Sequence, residues 1–362
     1  MEKISEAVLA DPVELTRALC DVESVSGDEK HLCDLVERAL RERDHLTVHR
    51  HGNTLVARTQ SSGGRDAASQ RVMLAGHLDT VPVNQNFPTR TENGVMHGLG
   101  TSDMKSGTAL ALWIATQVKE PAFDLSFAFY ECEEVESERN GLNVVSRAHP
   151  EWLEAHFAIL LEPSYGKIEA GCQGTMRALV KTEGKRSHSA RSWLGDNALH
   201  KLADVLGRLN SYTAREVPID GMLYREGLNA VRIGGGVAGN VIPDEGWVEV
   251  NYRFAPDRDE EAAADHVREV FEGYAVEVTD SAPSCPPGLD RPSAAAFLAA
   301  AGGEAQAKLG WTDVARFAAL GVPAVNFGPG DPNLAHTREE HVEIERIENC
   351  AAVLRSFVTG KE

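Results

Sequence analysis

Hydrophobic positions along the chain alternate between helix-like and strand-like spacing. Residues 12–43 carry a helical pattern interrupted at VSGDE, where Ser26 is expected to cap the second helix. A strand pair is predicted around His51-Gly52-Asn53, and a polar surface loop over residues 61–70. RVMLA is the apolar run of a strand covered on both faces, FDLSFAFYE and HFAILLEP predict further strands, and MKSGTALALWIATQVK predicts a helix. This alternation predicts an α/β layered domain.

The pattern changes after GCQG. TMRALVKTEG, LNAVRIGGGVAG, WVEVNYRFAP and YAVEVTD are strand-like, with helices predicted at DNALHKLADVLGRL and around Glu260 to Glu272. The resulting β-α-β-β-α-β order predicts a ferredoxin-like insertion over residues 174–284, and SAPSCPPGLDRP is the expected return linker. Residues 1–173 and 285–362 then form the catalytic domain.

Composition and charge limit the classes of partner. A chain of 362 residues with 42% hydrophobic and 25% charged residues fits two globular domains. A formal net charge of −19 without a run of Lys or Arg argues against nucleic acid and anionic membranes as partners. The six cysteines lack CxxC spacing, and no stretch resembles a secretory signal or a membrane span, so a cytoplasmic protein is expected.

Candidate chemistry begins where RVMLA ends. In GHLDTVP, His77 and Asp79 are two residues apart and therefore face one side at the carboxyl end of a strand, where open α/β sheets bind ligands. Asp79 is placed to orient His77 by accepting its other ring N–H. The alternative is a turn or cap aspartate beside an ordinary histidine.

Further acids and a second histidine follow similar positions. Asp103 precedes a helix in HGLGTSDMKSG, where it could instead be a helix cap, whereas Glu136 and Glu138 fit a solvated acidic loop. The remaining candidates are Glu133 and Glu134 after FDLSFAFY, Glu162 after an apolar strand, and His336 before the last helix. Two imidazoles with several carboxylates suit Zn²⁺ and tolerate Co²⁺ or Mn²⁺, and five ligands with one bridging carboxylate describe a two-metal hydrolytic centre.

The motifs GHLDTVP, GLGTSDMKSG, ECEE, LEP and the late AH resemble, in this order, the metallo-aminoacylase and carboxypeptidase family. The resemblance covers nearly the whole chain and implies an α/β zinc-peptidase-like catalytic domain, with a mixed sheet between helices, and an inserted ferredoxin-like α+β dimerisation or lid domain. It implies that His77 and Glu162 hold one zinc, that Glu134 and His336 hold the other, and that Asp103 bridges them.

The resemblance also implies catalytic and substrate-binding roles. Glu133 would be the general base, and His188 in GKRSHSA would come from the partner subunit of a homodimer to stabilise the oxyanion. The family residues that contact a small N-acyl amino acid substrate match Asn240, Arg253, Thr312 and Arg316.

Several segments narrow the expected reaction. GCQG, RSHSARSWLGDNA, YREGLN and GWTDVARF most resemble succinyl-diaminopimelate desuccinylases of actinobacterial type, which release succinate from N-succinyl-LL-2,6-diaminopimelate. Many desuccinylases have Gly-Arg-Arg-Gly where this chain has Gly171-Cys172-Gln173-Gly174, so Arg186 or Arg191 could supply the missing charge. The alternatives are acetylornithine deacetylase or another deacylase or dipeptidase of the family, and a non-catalytic metal-binding member. Glu133 beside a complete ligand set argues against the non-catalytic alternative.

Overall fold

A computed structural model describes residues 3–60 and 70–360 of the chain. The helices are α1 Glu6–Leu9, α2 Pro12–Cys20, α3 Lys30–Arg41, α4 Lys105–Gln117, α5 Gly141–Ala148, α6 Ala198–Ser211, α7 Glu260–Val270, α8 Pro292–Ala300, α9 Val314–Ala319 and α10 Ile344–Thr359. The strands are β1 Leu46–His51, β2 Thr54–Thr59, β3 Arg71–His77, β4 Arg90–Glu92, β5 Val95–His97, β6 Asp124–Tyr130, β7 Phe157–Leu160, β8 Ile168–Ala170, β9 Gly174–Glu183, β10 Ser187–His188, β11 Glu216–Ile219, β12 Met222–Arg225, β13 Gly227–Gly235, β14 Val241–Ile242, β15 Glu245–Phe254, β16 Ala275–Ala282, β17 Ala305–Ala307, β18 Ala324–Asn326 and β19 His341–Glu343. The loop predicted over residues 61–70 lies outside the described residues except for Gln70.

The chain divides into two compact units. The first unit comprises residues 1–170, 287–306 and 316–362, and the second comprises residues 171–286 and 307–315. Residues 307–315 were expected in the catalytic domain, whereas they belong to the same compact unit as the insertion. The reason is local contact within the second unit: the amide of Gln173 donates to the carbonyl of Lys308 at 3.3 Å, and the indole of Trp311 donates to the carbonyl of Pro283 at 3.1 Å.

The large sheet of the first unit places its central strands in parallel. Its strand order is β1-β2-β6-β3-β7-β18-β8-β17, with β3 parallel to both β6 and β7, and β18 parallel to β7. The apolar runs expected to form buried strands do so, and β3 and β6 have almost entirely buried residues. Helix α4 is buried from Lys105 to Thr116 and packs on β3, α2 and α10. These layers confirm the α/β prediction.

A small antiparallel sheet in the first unit was absent from the sequence-based prediction. It has the order β19-β5-β4, and His341 of β19 pairs with His97 of β5. These strands are three residues long, too short to leave a readable periodicity. The pairing joins the chain just before residue 98 to the chain just after residue 340.

The second unit is an antiparallel sheet with the order β13-β15-β9-β16, backed by α6 and α7. Buried and accessible residues alternate along β9, which gives the sheet one face in the core. Asn197 and Asp259 cap the two helices by accepting backbone N–H groups. The ferredoxin-like prediction is confirmed, although α7 ends at Val270, and the expected linker begins as the last residues of β16.

The length and hydropathy of the helices bear on whether any of them could cross a membrane. Within residues 3–60 and 70–360, none of the helices combines the length and the apolar character that crossing a bilayer requires.

Candidate metal centre

The carboxyl ends of β3, β6 and β7 deliver acidic and imidazole side chains to one edge of the large sheet. His77 is the last residue of β3 and pairs in register with Tyr130, the last residue of β6. Glu133 and Glu134 follow β6 in the next turn. Ala75 pairs with Leu160, so Glu162 lies level with His77. Parallel strands therefore bring together residues that are 85 positions apart in the chain, from 77 to 162.

A first cluster consists of His77, Asp103 and Glu162. One potential ligand atom of each lies within 4.8 Å of the others. The Nε2 atom of His77 is 3.3 Å from Oδ1 of Asp103, and the His77 side chain is only 1% exposed.

A second cluster consists of Asp103, Glu134 and His336. Its ligand atoms also lie within 4.8 Å of one another, with Nε2 of His336 2.8 Å from Oε1 of Glu134 and 3.5 Å from Oδ2 of Asp103. Asp103 thus presents one carboxylate oxygen to His77 and the other to His336. A carboxylate that faces two groups of ligand atoms could bind two divalent ions at once.

The turn that carries Glu133 and Glu134 is held by the carboxylate of Asp79. The N–H of Glu133 donates to Oδ1 of Asp79 at 3.0 Å, and the N–H of Glu134 donates to Oδ2 at 3.1 Å. Ser26 was expected to cap α3, but its hydroxyl donates to Oδ2 of Asp79 at 2.7 Å, and α3 begins after Glu29 without a side-chain cap. The position of Ser26 beside the buried Asp79 explains this difference.

Asp79 contacts His77 mainly through its main chain. The Nδ1 atom of His77 lies 3.0 Å from the carbonyl oxygen of Asp79 and 3.5 Å from its Oδ1. The carbonyl is an acceptor only, so Nδ1 carries a proton, and Nε2 faces Asp103. Asp79 was expected to orient His77 through its carboxylate; its peptide oxygen makes the shorter contact with Nδ1, and its carboxylate accepts the N–H groups of the neighbouring turn.

The two imidazoles and the carboxylates between them perturb one another strongly. Burial disfavours the charged form of His77, but the hydrogen bond with Asp103 and the neighbouring carboxylates outweigh it and raise its pKa well above the ordinary value. Hydrogen bonds with Asp103 and Glu134 raise the pKa of His336 to about 10. Burial opposes ionisation of Asp103, yet the hydrogen bonds from the two imidazoles lower its pKa. The site strongly favours positive charge between its carboxylates.

The donor set fits divalent metal ions. Imidazole nitrogens and carboxylate oxygens are ligands of Zn²⁺ and of related first-row ions, and several carboxylates close together repel one another unless cations neutralise them. Glu133 also has a ligand atom within 4.8 Å of His77 and Glu134, which places a carboxylate beside the two clusters.

The other predicted site residues are distributed over both units. His188 ends β10 in the second unit, where its Nδ1 accepts the N–H of Ala190 at 3.0 Å and its side chain is exposed. Asn240 is exposed, and Thr312 is buried in the same unit. Arg316 in the first unit donates from both terminal nitrogens to the hydroxyl of Ser137 at 3.2 Å.

Arg253 on β15 is half-buried, and burial lowers its pKa. Among residues 3–60 and 70–360, no acidic side chain pairs with it. A half-buried guanidinium without an acidic partner is suited to bind an anion.

Two buried acids near the centre were missed in the sequence analysis. Glu29 accepts the N–H of Cys132 at 3.2 Å through Oε1, next to the turn held by Asp79. Glu340 accepts backbone N–H groups from the loop that carries Asp103, and burial raises its pKa to about 7 against those hydrogen bonds. Glu340 follows the exposed Glu339 directly, and no local signal distinguishes the two.

Comparison with known proteins identifies close relatives over nearly the whole chain. A Mycobacterium tuberculosis protein provisionally named succinyl-diaminopimelate desuccinylase DapE is 55% identical over 353 residues, which cover 97% of this chain and 98% of the relative. The succinyl-diaminopimelate desuccinylase of Corynebacterium glutamicum is 48% identical over 364 residues and covers 97% of each chain.

Solved structures show the same fold at lower identity. A tripeptidase from Staphylococcus aureus superposes with a TM-score of 0.78 at 21% identity over 98% of each chain. The Bacillus subtilis YXEP protein, described as a dinuclear metal-binding peptidase, gives a TM-score of 0.69 at 15% identity over 98% of each chain. The family model of peptidase family M20/M25/M40 matches residues 73–360. The chain therefore belongs to peptidase family M20/M25/M40 and is a metal-dependent amidohydrolase.

Proposed function

We propose that this protein hydrolyses the succinyl amide of N-succinyl-LL-2,6-diaminopimelate, releasing succinate and LL-2,6-diaminopimelate. Amide hydrolysis is supported by one observation: the carboxylate of Asp103 faces two clusters of potential metal ligands, and Glu133 lies beside them. The identity of 55% and 48% with two proteins named for this reaction supports the choice of substrate.

We assign two Zn²⁺ ions to this centre, which Co²⁺ could replace. His77 and Glu162 would hold one ion, and Glu134 and His336 would hold the other. Asp103 would bind both ions. When bound, the ions act as Lewis acids toward the amide carbonyl and make water more acidic.

Glu133 is the assigned general base. Its carboxylate accepts a proton from the attacking water and later gives it to the amide nitrogen as the carbon–nitrogen bond breaks. The hydrogen bond from its N–H to Asp79 fixes the backbone from which this side chain projects. One molecule of water is consumed, and its atoms end in the succinate carboxylate and the free amine.

The substrate carries several carboxylates, which calls for cationic and polar partners. We assign Arg253 and Arg316 to carboxylates of the substrate, and Asn240 and Thr312 to its polar groups. The half-buried guanidinium of Arg253, with no acidic partner among the described residues, supports this assignment.

The second unit is assigned as the dimerisation surface of a homodimer. β13 is an edge strand of its sheet, and Val231 and Ile233 on it are 52% and 56% exposed. An exposed apolar edge strand favours pairing with a second copy. In this dimer His188 of each subunit stabilises the oxyanion formed at the active site of the other.

The cytoplasm is the proposed location. All six cysteines are free and buried, as expected of a protein kept in a reducing compartment.

A substrate panel tests the proposed function. The purified protein is stripped with a chelator, reloaded with Zn²⁺, and assayed with N-succinyl-LL-2,6-diaminopimelate, acetylornithine and a dipeptide. We expect kcat/KM for the succinyl substrate to exceed the others by about 100-fold or more, the discrimination available to a site built around a charged group. If kcat/KM for acetylornithine or for the dipeptide equalled that for the succinyl substrate, the proposed specificity would be wrong.

A further inference from the structure

We propose that Glu340 is a positioning residue of the metal centre, whose buried carboxylate fixes the loop that carries Asp103. The inference rests on the proposed metal-dependent function of this site. It concerns a side chain that accepts backbone N–H groups of residues 100–103 and acts on the site through that backbone.

The carboxylate of Glu340 accepts three main-chain amides of this loop. Its Oε2 accepts the N–H of Gly100 at 3.0 Å, and its Oε1 accepts the N–H groups of Ser102 at 2.9 Å and of Asp103 at 3.0 Å. Glu340 is 2% exposed, and within the described part of the chain no Lys or Arg forms an ion pair with it. A buried carboxylate is costly unless hydrogen-bonded, so the three amides and Glu340 stabilise one another.

The loop has no regular structure that could otherwise fix Asp103. Residues 98–104 lie between β5 and α4, and Gly98 and Gly100 have φ values of 155° and 77°, which favour glycine. Because the N–H of Asp103 itself donates to Glu340, the hydrogen bond holds the backbone from which the shared carboxylate projects.

Glu340 also belongs to the segment that carries the second imidazole. His336 lies four residues earlier in the same loop. The carbonyl of Glu340 accepts the N–H of Gly98 at 3.0 Å, and the hydroxyl of Ser102 donates to the carbonyl of Asp331 at 2.9 Å. These bonds tie the Asp103 loop to the His336 loop, and those of Glu340 contribute to the distance between two proposed metal ligands.

The substitution Glu340→Gln separates this role from simple space filling. Glutamine has nearly the same volume, but one of its two terminal atoms is an NH₂ donor. That donor must face either the N–H of Gly100 or the N–H groups of Ser102 and Asp103, so at least one amide loses its acceptor. Glu339→Gln is the matched control because Glu339 is the exposed neighbour.

The test uses Co²⁺ as both ligand and reporter, at pH 8 and without substrate. Co²⁺ affinity is measured by competition with a chelator, coordination by visible absorption, and folding of the metal-free protein by circular dichroism and thermal unfolding. We expect Glu340→Gln to weaken Co²⁺ binding by about 10- to 100-fold, the usual effect of losing an outer-sphere partner, and to alter the Co²⁺ spectrum. Glu339→Gln should behave as the unmodified protein.

The alternative outcomes distinguish the positioning role of Glu340 from the proposed metal centre itself. If Glu340→Gln binds Co²⁺ with unchanged affinity and spectrum, the inference is wrong even when its thermal stability falls, because the residue is then only structural. If the unmodified protein fails to bind Co²⁺, the proposed metal centre is wrong and the inference with it. Should Glu340→Gln not fold, Glu340→Asp takes its place, since aspartate keeps both acceptor oxygens on a shorter side chain. Weaker Co²⁺ binding with an altered spectrum would then support the inference, and unchanged affinity and spectrum would contradict it.

Discussion

Asp103 shows how much of the site depends on one side chain. Its two oxygens face the imidazoles of His77 and His336, at 3.3 and 3.5 Å. Glu133 and Glu134 are adjacent in the chain but differ in role, because Glu134 contacts His336 and Glu133 is left beside the clusters as the assigned base. Neighbouring residues with different partners allow metal binding and proton transfer to be tested separately.

Glu133→Ala is expected to retain metal and lose turnover, because it removes the proposed base but none of the assigned ligands. The loss in kcat should be about 100-fold or more, the range for general acid–base catalysis. His77→Ala should lose metal as well as activity. Metal content after gel filtration and the rate with saturating metal distinguish the two. Glu138→Ala in the same loop is the exposed control, and a normal rate in Glu133→Ala would contradict the assignment.

Glu226 carries a buried charge in the second unit. The Glu226 side chain is fully buried and accepts hydrogen bonds from Arg215, Tyr252 and the N–H of Ala255. Burial opposes its ionisation, but these bonds outweigh it and lower its pKa. Glu226→Gln should destabilise the unit by about 3 kcal/mol at neutral pH, the scale of a broken buried pair.

The pH dependence of that difference has a definite sign. Because the folded pKa of Glu226 lies below its ordinary value of 4.5, its contribution is present above pH 4.5 and disappears as the pH falls through the folded pKa. Native-state hydrogen exchange of β9 and β15 amides reports the opening free energy of this unit. The gap between the two proteins should narrow below pH 4.5, and a constant gap would show that the carboxylate charge contributes nothing.

At the scale of elements, parallel strands bring the chemistry to one edge, and α4 fixes the backbone behind it. Gly107 of α4 faces the carbonyl of Leu161, the residue before Glu162. A Cβ atom built on Gly107 would lie 1.9 Å from that oxygen. The closeness of helix and strand end is therefore part of what places Glu162.

Gly107→Ala is expected to destabilise the protein by about 1–3 kcal/mol, the usual cost of overpacking, and to weaken metal binding because Leu161 and Glu162 must shift. Gly207→Ala is the matched control, since Gly207 is also inside a helix and a Cβ there meets nothing within 4 Å. It should gain about 0.5–1 kcal/mol through better helix propensity. Thermal unfolding and metal content measure both effects. Equal behaviour of the two variants would rule out the close contact.

At the scale of the whole molecule, the division into two units matches a division of proposed roles. The assigned metal ligands and Glu133 belong to the first unit, whereas His188 and the exposed edge strand β13 belong to the second. If His188 acts across a homodimer, each active site needs residues from two subunits. Mixed dimers test this directly.

Glu133→Ala and His188→Ala should each be nearly inactive alone and should complement each other when their subunits are exchanged. In a mixed dimer, the subunit with His188→Ala retains Glu133 and receives the intact His188 of its partner. Random pairing makes half of the dimers mixed, each with one intact site, so about a quarter of the normal activity is expected. Activity is measured after co-refolding or subunit exchange. No recovery in verified mixed dimers would place His188 in its own subunit's site.

The sequence by itself determined the features that depend on nearby residues. Apolar runs identified β3, β6 and β7, their polar continuations identified His77, Glu133, Glu134 and Glu162 as strand-end residues, and alternation identified the antiparallel insertion. Motif order added the family, which the comparisons show. Local spacing suffices for these because periodicity and chain order act within one element.

Only the tertiary structure decided which atoms meet. Asp103 faces two imidazoles that are 26 positions before it and 233 positions after it, and Glu340 binds the amide of Gly100 across 240 positions. For the same reason, the hydroxyl of Ser26 donates to Asp79 and does not cap α3 as expected. Hydrogen bonds between distant segments form only after strands and loops pack together, so no pattern of neighbouring residues predicts them.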